Sequence, residues 1–217
     1  MKQAPVLILV GASGVGKNTV AEVLLGAENS PFSYSRSLTT RDPRGTFADE
    51  YLYVSEEEFL ARVEAGKMLE HTRYGENYYG TPMSEVERAN AEGKNSLMIL
   101  DINGVESIRK NHPNLPIYAV YLYAEPEEIR RRLEARDLGC ACEENIQKVH
   151  KRLKNNRDDF SSLAEGRYRL FDAFVENNVV VDAAARVLAL YEMHASLPEQ
   201  TMISMRDFFA RAAKFEF

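Results

Sequence analysis

The chain opens its ordered pattern with an unbroken apolar run, Pro5–Val10 (PVLILV). A run of this length without alternation reads as a strand covered on both faces. A glycine-rich stretch follows, and Asn18–Leu25 then carries Val20, Val23 and Leu24 on one helical side. Two more unbroken runs, Ser96–Leu100 (SLMIL) and Pro116–Tyr123 (PIYAVYLY), each precede a helix-patterned segment, at roughly Gly104–Lys110 and Pro126–Arg136. A fourth short strand, Ala173–Val175, precedes a helix at about Asp182–His194. Strand–helix alternation of this kind predicts an α/β fold, a parallel sheet flanked by helices on both faces.

Between about Ser33 and Gly93 the rhythm breaks. Short strand-like pieces (Phe32–Thr39, Tyr51–Ser55, Met68–Thr72), a helix with an acidic start at Glu56–Ala65 and a hairpin-like Tyr74–Tyr79 around Gly75 and Asn77 predict a small inserted α+β lobe. Asn145–Arg157 is helical in pattern, with five basic residues and no acidic one. Ile203–Ala212 spaces Met205, Phe208, Phe209 and Ala212 at helical intervals. That predicts a terminal helix packed on its own body or on a second subunit.

Composition narrows the class. With 217 residues, 45% hydrophobic and 28% charged, the chain is long enough for one ordinary domain with an inserted lobe. A net charge of -6 argues against a nucleic-acid partner. No apolar run reaches the roughly 18 residues of a membrane span, and no signal peptide is expected. Cys140 and Cys142 lie too close for an easy mutual disulfide and lack a nearby second pair for a metal, which points to a reducing cytoplasm.

The strongest chemical signal is Gly11-Ala12-Ser13-Gly14-Val15-Gly16-Lys17-Asn18-Thr19, directly after the first strand and opening the first helix. Glycines there let backbone N–H groups and the helix N-terminus cradle a triphosphate, and Lys17 sets a positive charge on its outer phosphates. The residue after the lysine is ordinarily a Ser or Thr that binds Mg²⁺. Here it is Asn18, so either its amide oxygen or the Thr19 hydroxyl takes that role, or metal binding is weakened.

Ser37-Leu-Thr-Thr-Arg41-Asp-Pro-Arg44 adds two arginines beside hydroxyls in the inserted lobe, suited to a second phosphorylated substrate. No guanine-reading Asn-Lys-x-Asp segment of the GTPase type is present. Taken in order, GASGVGK, SLTTRDPR, EYLYVSEEEF, GKMLEH, NYYGTP and LDI resemble the guanylate kinases, from the first strand to about Asn178.

The resemblance implies a phosphate-loop NTPase core, residues 1–32 and 94–217, with a lid at about 137–157 and a helical tail at about 198–217. Residues 33–93 would be the lobe that binds the monophosphate. It further implies that Ser37, Arg41, Arg44, Tyr51 and Tyr79 hold the GMP phosphate. Glu70 would accept from guanine N1–H and the amino group, and Thr81 would meet the O6 edge. Asp101 would sit between base recognition and Mg²⁺. Arg136 resembles an arginine on the ATP phosphates, and Asn177 an Asn near adenine.

Two positions depart from the pattern. Asn103 stands where a second acid is usual, and Val149 stands where the lid helix carries an arginine, a charge that Arg152 or Arg157 would supply, with Arg152 preferred. The expected function is therefore phosphoryl transfer from ATP to GMP or dGMP with Mg²⁺, catalysed by Lys17, Arg41, Arg44, Arg136 and Arg152. Asn18, Thr19 and Asp101 are the candidate metal ligands. The alternatives are a kinase for another phosphorylated acceptor, such as ribose 1,5-bisphosphate, and a non-catalytic protein-binding module. A homodimer through the Met205/Phe208/Phe209 stripe is a further expectation.

Overall fold

The structure, a computed structural model, describes residues 4–43, 51–138 and 142–215. The chain begins with β1 (Val6–Gly11), α1 (Lys17–Gly26), β2 (Phe32–Tyr34), β3 (Ser37–Thr39) and β4 (Tyr51–Tyr53). It continues through α2 (Glu56–Glu64), β5 (Met68–Tyr74), β6 (Asn77–Pro82), α3 (Met83–Ala91), β7 (Asn95–Ile99) and α4 (Ile102–Asn111). The last part holds β8 (Ile117–Tyr123), α5 (Pro126–Asp137), α6 (Glu143–Ala164), a 3₁₀ turn at Arg167–Leu170, β9 (Ala173–Glu176), α7 (Val180–Met193) and α8 (Glu199–Ala212). Five strands form one sheet in the order β2-β7-β1-β8-β9, and four form a second, β4-β3-β6-β5. The parallel pairings β2–β7 and β8–β9 fit the buried, unalternating runs of the sequence. None of the described helices is long and apolar enough to cross a membrane.

The chain divides into two compact units, Met1–Ile8 with Ala27–Ile117 and Leu9–Gly26 with Tyr118–Phe217. In the first, β5 and β6 form a hairpin, and β3 pairs antiparallel with β6 and parallel with β4. Leu38, Phe59 and Met68 are its small buried core, with Leu52, Val54, Val63 and Tyr78 packed around them. Helix α2 starts where Ser55 accepts a hydrogen bond from Glu58 N (3.1 Å), ahead of three glutamates that suit the positive helix end. Its Phe59 ring then stacks on Tyr78 at 5.5 Å.

Phe32–Thr39, expected as one strand-like piece, is two strands in two sheets. Between them Ser35 N donates to Leu97 O, its hydroxyl meets that of Ser96 at 2.6 Å, and Arg36 N donates to Glu85 Oε2. Polar side chains thus satisfy the backbone where the ladder stops. Glu85 belongs to α3, a helix that the polar MSEVERANA pattern does not announce. Its charge is buried but paired, since Arg88 reaches Glu85, Glu92, the Ser33 hydroxyl and Tyr34 O.

In the second unit, Tyr121 of β8 lies at the centre of an aromatic cluster with Phe171, Phe174 and Phe209. Phe209 comes from α8 and also stacks on Phe160 of α6. Met205, Phe209 and Ala212 are all buried here. Met205 and Phe209 of the terminal stripe thus pack on the chain's own body, one of the two expectations for this helix, while Phe208 is half-buried. Helix α6 is also longer than its basic segment suggests, because Phe160 and Leu163 extend its buried side past Arg157.

Candidate active site

In the second unit the loop between β1 and α1 turns at Gly14 (φ 88°) and Gly16 (φ 96°), conformations that residues with a Cβ rarely adopt. Space excludes a side chain as well: a Cβ on Gly14 would lie 2.7 Å from Leu133 Cγ, and one on Gly16 2.7 Å from Asn177 Nδ2. Lys17 folds over this turn and donates through Nζ to Gly11 O (2.7 Å) and Ala12 O (3.1 Å). Asn18 and Thr19 are exposed on the first turn of α1 and offer an amide and a hydroxyl oxygen, both hard donors of the kind Mg²⁺ accepts. A cradle that excludes side chains, a lysine over it and oxygen donors beside it fit a triphosphate with its metal. Among the described residues no group of three His, Cys, Asp or Glu could hold a metal ion.

Asn177, together with Asn156 and Arg132, which the sequence pattern does not single out, holds this loop from behind. Asn156, buried in α6, accepts from Ser13 N (2.8 Å) and donates to Ser13 O (3.0 Å). Val15 O accepts from Asn177 Nδ2 (2.7 Å) and from Arg132 Nη1 (3.2 Å). Asn177 is fully buried, with Oδ1 left without a hydrogen-bond partner. Arg132 also donates to Asn177 O and to Glu128, whose carboxyl is held down to about 2 by hydrogen bonds from Arg131 and Arg132. A buried Asn on a charged helix has no periodic signature, so nothing in the sequence marks Asn156.

Arg136 and Arg152 come together on one carboxylate. Arg136 Nε lies 2.7 Å from Asp137 Oδ1, and Arg152 Nε lies 3.6 Å from Asp137 Oδ2. The hydrogen bond from Arg136 is the main reason that Asp137 titrates below the ordinary carboxylate range. Val149, one helical turn before Leu153, is buried along with it on the inner side of α6.

In the first unit the lobe residues gather in two groups. Thr81 Oγ1 donates to Glu70 Oε1 (2.9 Å), and the Ser37 hydroxyl lies 3.0 Å from Thr81 Oγ1. With the Thr81 proton directed to Glu70, Ser37 is the donor of that second bond. Glu70 and Thr81 are both buried. Burial pushes Glu70 up to about 7, the Thr81 hydrogen bond opposes this, and the Asp101 charge adds to it. Asp101 is exposed at the N-terminus of α4, where Oδ1 accepts from Gly104 N (2.7 Å). In the second group the Tyr51 and Tyr79 rings meet edge to face at 5.9 Å, and the Arg41 guanidinium lies over Tyr51 at 5.5 Å. Tyr53 hydrogen-bonds the same guanidinium, whose Nε is buried without a partner of its own. Arg44 lies outside the described residues.

The family model for guanylate kinase matches residues 3–193. The guanylate kinase of Lactiplantibacillus plantarum is 32% identical over 191 residues, covering 87% of each chain. That of Enterococcus faecalis is 33% identical over 183 residues, covering 83% of this chain and 84% of the relative. In fold, the chain resembles the crystal structure of guanylate kinase from Anaplasma phagocytophilum, with a TM-score of 0.62 at 21% identity over 99% of this chain and 98% of that one. The chain belongs to the guanylate kinase family.

Proposed function

We propose that the protein transfers the γ-phosphoryl group of ATP to GMP or dGMP, giving ADP and the guanosine diphosphate, with Mg²⁺ and in the cytoplasm. The observation that carries the choice of acceptor is the buried Glu70–Thr81 pair. A carboxylate withdrawn from water has its strongest use opposite two adjacent donors, which is what the N1–H and amino group of guanine present. Adenine would place an acceptor there, and a sugar phosphate no base edge at all. Residues 33–93 serve as the acceptor lobe, and about 137–157 as the lid.

Within the lobe, Arg41 is the phosphate anchor. Its Nε is desolvated and unpaired, and the Tyr51 face fixes its plane, so a phosphate oxygen would complete its hydrogen bonding. Arg44, Ser37, Tyr51 and Tyr79 would complete that phosphate site. On the donor side the loop Gly11–Thr19 holds the triphosphate, with Lys17 exchanging its bonds to Gly11 O and Ala12 O for phosphate oxygens. Asn18 and Thr19 would hold Mg²⁺, which supplies charge neutralisation on the phosphates when bound. Arg136 and Arg152 would screen the transferring group. No covalent intermediate and no strong base are needed, because positioning and charge carry the reaction.

The test is product identification. Incubation with ATP and GMP should yield ADP and GDP in equal amounts by anion-exchange chromatography, and Lys17→Ala should abolish both. ATP hydrolysis without GDP would overturn the reading.

A further inference from the structure

We infer that Asn156 is a positioning residue for the donor site: it locks the phosphate loop and, through helix α6, places Arg152. The inference rests on the reading of an ATP-dependent kinase given above.

A single carboxamide closes a two-bond ring on the backbone of one residue, Ser13, 143 positions away, at 2.8 and 3.0 Å. Asn156 is 1% exposed, so water cannot substitute for either bond. Ser13 lies in the turn between Gly11 and Gly14, where the positive-φ glycines leave the backbone little intrinsic preference. Fixing both polar groups of Ser13 therefore fixes the orientation of the two peptides that flank it, Ala12–Ser13 and Ser13–Gly14. Asn177 and Arg132 hold the carbonyl two residues on, Val15 O, from the same unit. The two Asn156 bonds tie the loop to α6.

Arg152 precedes Asn156 by four residues, one helical turn, so the two share a side of α6. Asn156 is thus a fixed polar point one turn from Arg152, and the buried Val149 and Leu153 hold the same stretch of α6. Val149 cannot serve as a cation, and its buried side chain with Leu153 turns a neighbouring face of α6 into the core. Arg152 is 41% exposed in its side chain and lies 3.6 Å from Asp137, a separation loose enough to leave it to a phosphate. In this way Asn156 ties the loop to the turn of α6 that carries Arg152.

Four proteins decide the matter: wild type, Asn156→Ala, Arg152→Ala and the double variant. ATP affinity is measured by titration calorimetry without acceptor, and kcat and KM are measured with ATP and GMP. Asn156→Ala should weaken ATP binding about tenfold, as expected for two bonds to buried backbone groups, and leave the KM for GMP within about twofold. Arg152→Ala should lower kcat, and adding Asn156→Ala to it should lower kcat no further while still weakening ATP binding. Should Asn156→Ala not fold, Asn156→Asp retains the shape and the acceptor toward Ser13 N. It should weaken ATP binding more than it weakens GMP binding, since its charge lies behind the triphosphate.

Unchanged ATP affinity in these variants would overturn the inference, as would equal losses toward ATP and GMP. Fully multiplicative kcat effects would overturn the link to Arg152. The calorimetric arm needs no acceptor. A wild type that binds ATP but does not phosphorylate GMP would refute the proposed function and leave loop locking to be judged on affinity alone.

Discussion

Glu70→Gln should make the protein more stable and less active. Burial pushes Glu70 up to about 7 from an ordinary value of 4.5. The folded state therefore binds this proton more tightly than the unfolded chain does. The cost of holding the carboxylate is absent below pH 4.5, grows as pH rises, and is complete above 7. At 1.36 kcal/mol per pH unit, that cost is up to about 3 kcal/mol at pH 8. Glutamine keeps the size and the acceptor for the Thr81 hydroxyl, and it removes both the desolvated charge and the repulsion from Asp101. At about 2–4 °C per kcal/mol for a chain of this length, the substrate-free variant should melt several degrees above wild type at pH 8. The gap should shrink to about a quarter of that by pH 5 and close below pH 4.5.

Recognition should move the other way. The Gln amide meets one guanine donor with its oxygen and opposes the second with its NH₂, which should lower kcat/KM for GMP by about 10²–10³. The KM for ATP should stay within about twofold. Melting curves at pH 5, 6.5 and 8, with steady-state kinetics at pH 8, read both effects. A variant no more stable than wild type at pH 8, or one that turns GMP over unimpaired, would refute the reasoning.

The wild-type kcat/KM for GMP should itself rise with pH through about 7 and level off, because only the ionised Glu70 accepts two bonds; the profile of Glu70→Gln should lack that step. Arg41→Ala should raise the KM for GMP and lower kcat by about 10² or more, and full activity would remove Arg41 from the phosphate site. Asn18→Thr should lower the Mg²⁺ concentration needed for half-maximal rate if Asn18 is a working but weaker ligand, which a metal titration reads. Phe209→Ala should cost about 3–5 kcal/mol in urea unfolding, since the ring is fully buried against Tyr121 and Phe160; a loss under about 1 kcal/mol would mean that α8 is not part of the core.

The parts of the fold that can be read in advance are those where burial leaves a period in the sequence. Unbroken runs such as Pro116–Tyr123 announce sheet strands, and the acidic start at Glu56 announces α2. The inserted lobe is less legible because several of its strands are three residues long and its register depends on local hydrogen bonds. Ser35 and Arg36 look like strand residues, yet their bonds to Ser96, Leu97 and Glu85 end one sheet and begin another. Helix α3 escapes notice for a related reason: its charged face is paired through Arg88 rather than solvated, so it shows little apolar stripe.

The same division holds at the candidate site. Residues that would meet ligand, among them Lys17, Arg41, Glu70 and Thr81, belong to compact motifs and stand out by type and spacing. Residues that hold them lie far away in sequence. Asn156 is 143 positions from Ser13, and Arg132 is 117 from Val15, so no local pattern can join them. Asp137, which gathers Arg136 and Arg152, looks like an ordinary helix-end acid until the two guanidinium groups are placed beside it.

The choice of guanine as the acceptor base is proposed to rest on a buried carboxylate, Glu70. It is tested most directly by the ratio of kcat/KM for GMP to that for AMP, measured by ADP release from MgATP, with UMP, dTMP and ribose 1,5-bisphosphate as further acceptors. GMP and dGMP should be turned over and the others should give no rate above background. A preference for AMP, a pyrimidine nucleotide or the sugar phosphate would contradict the account at Glu70 and Thr81.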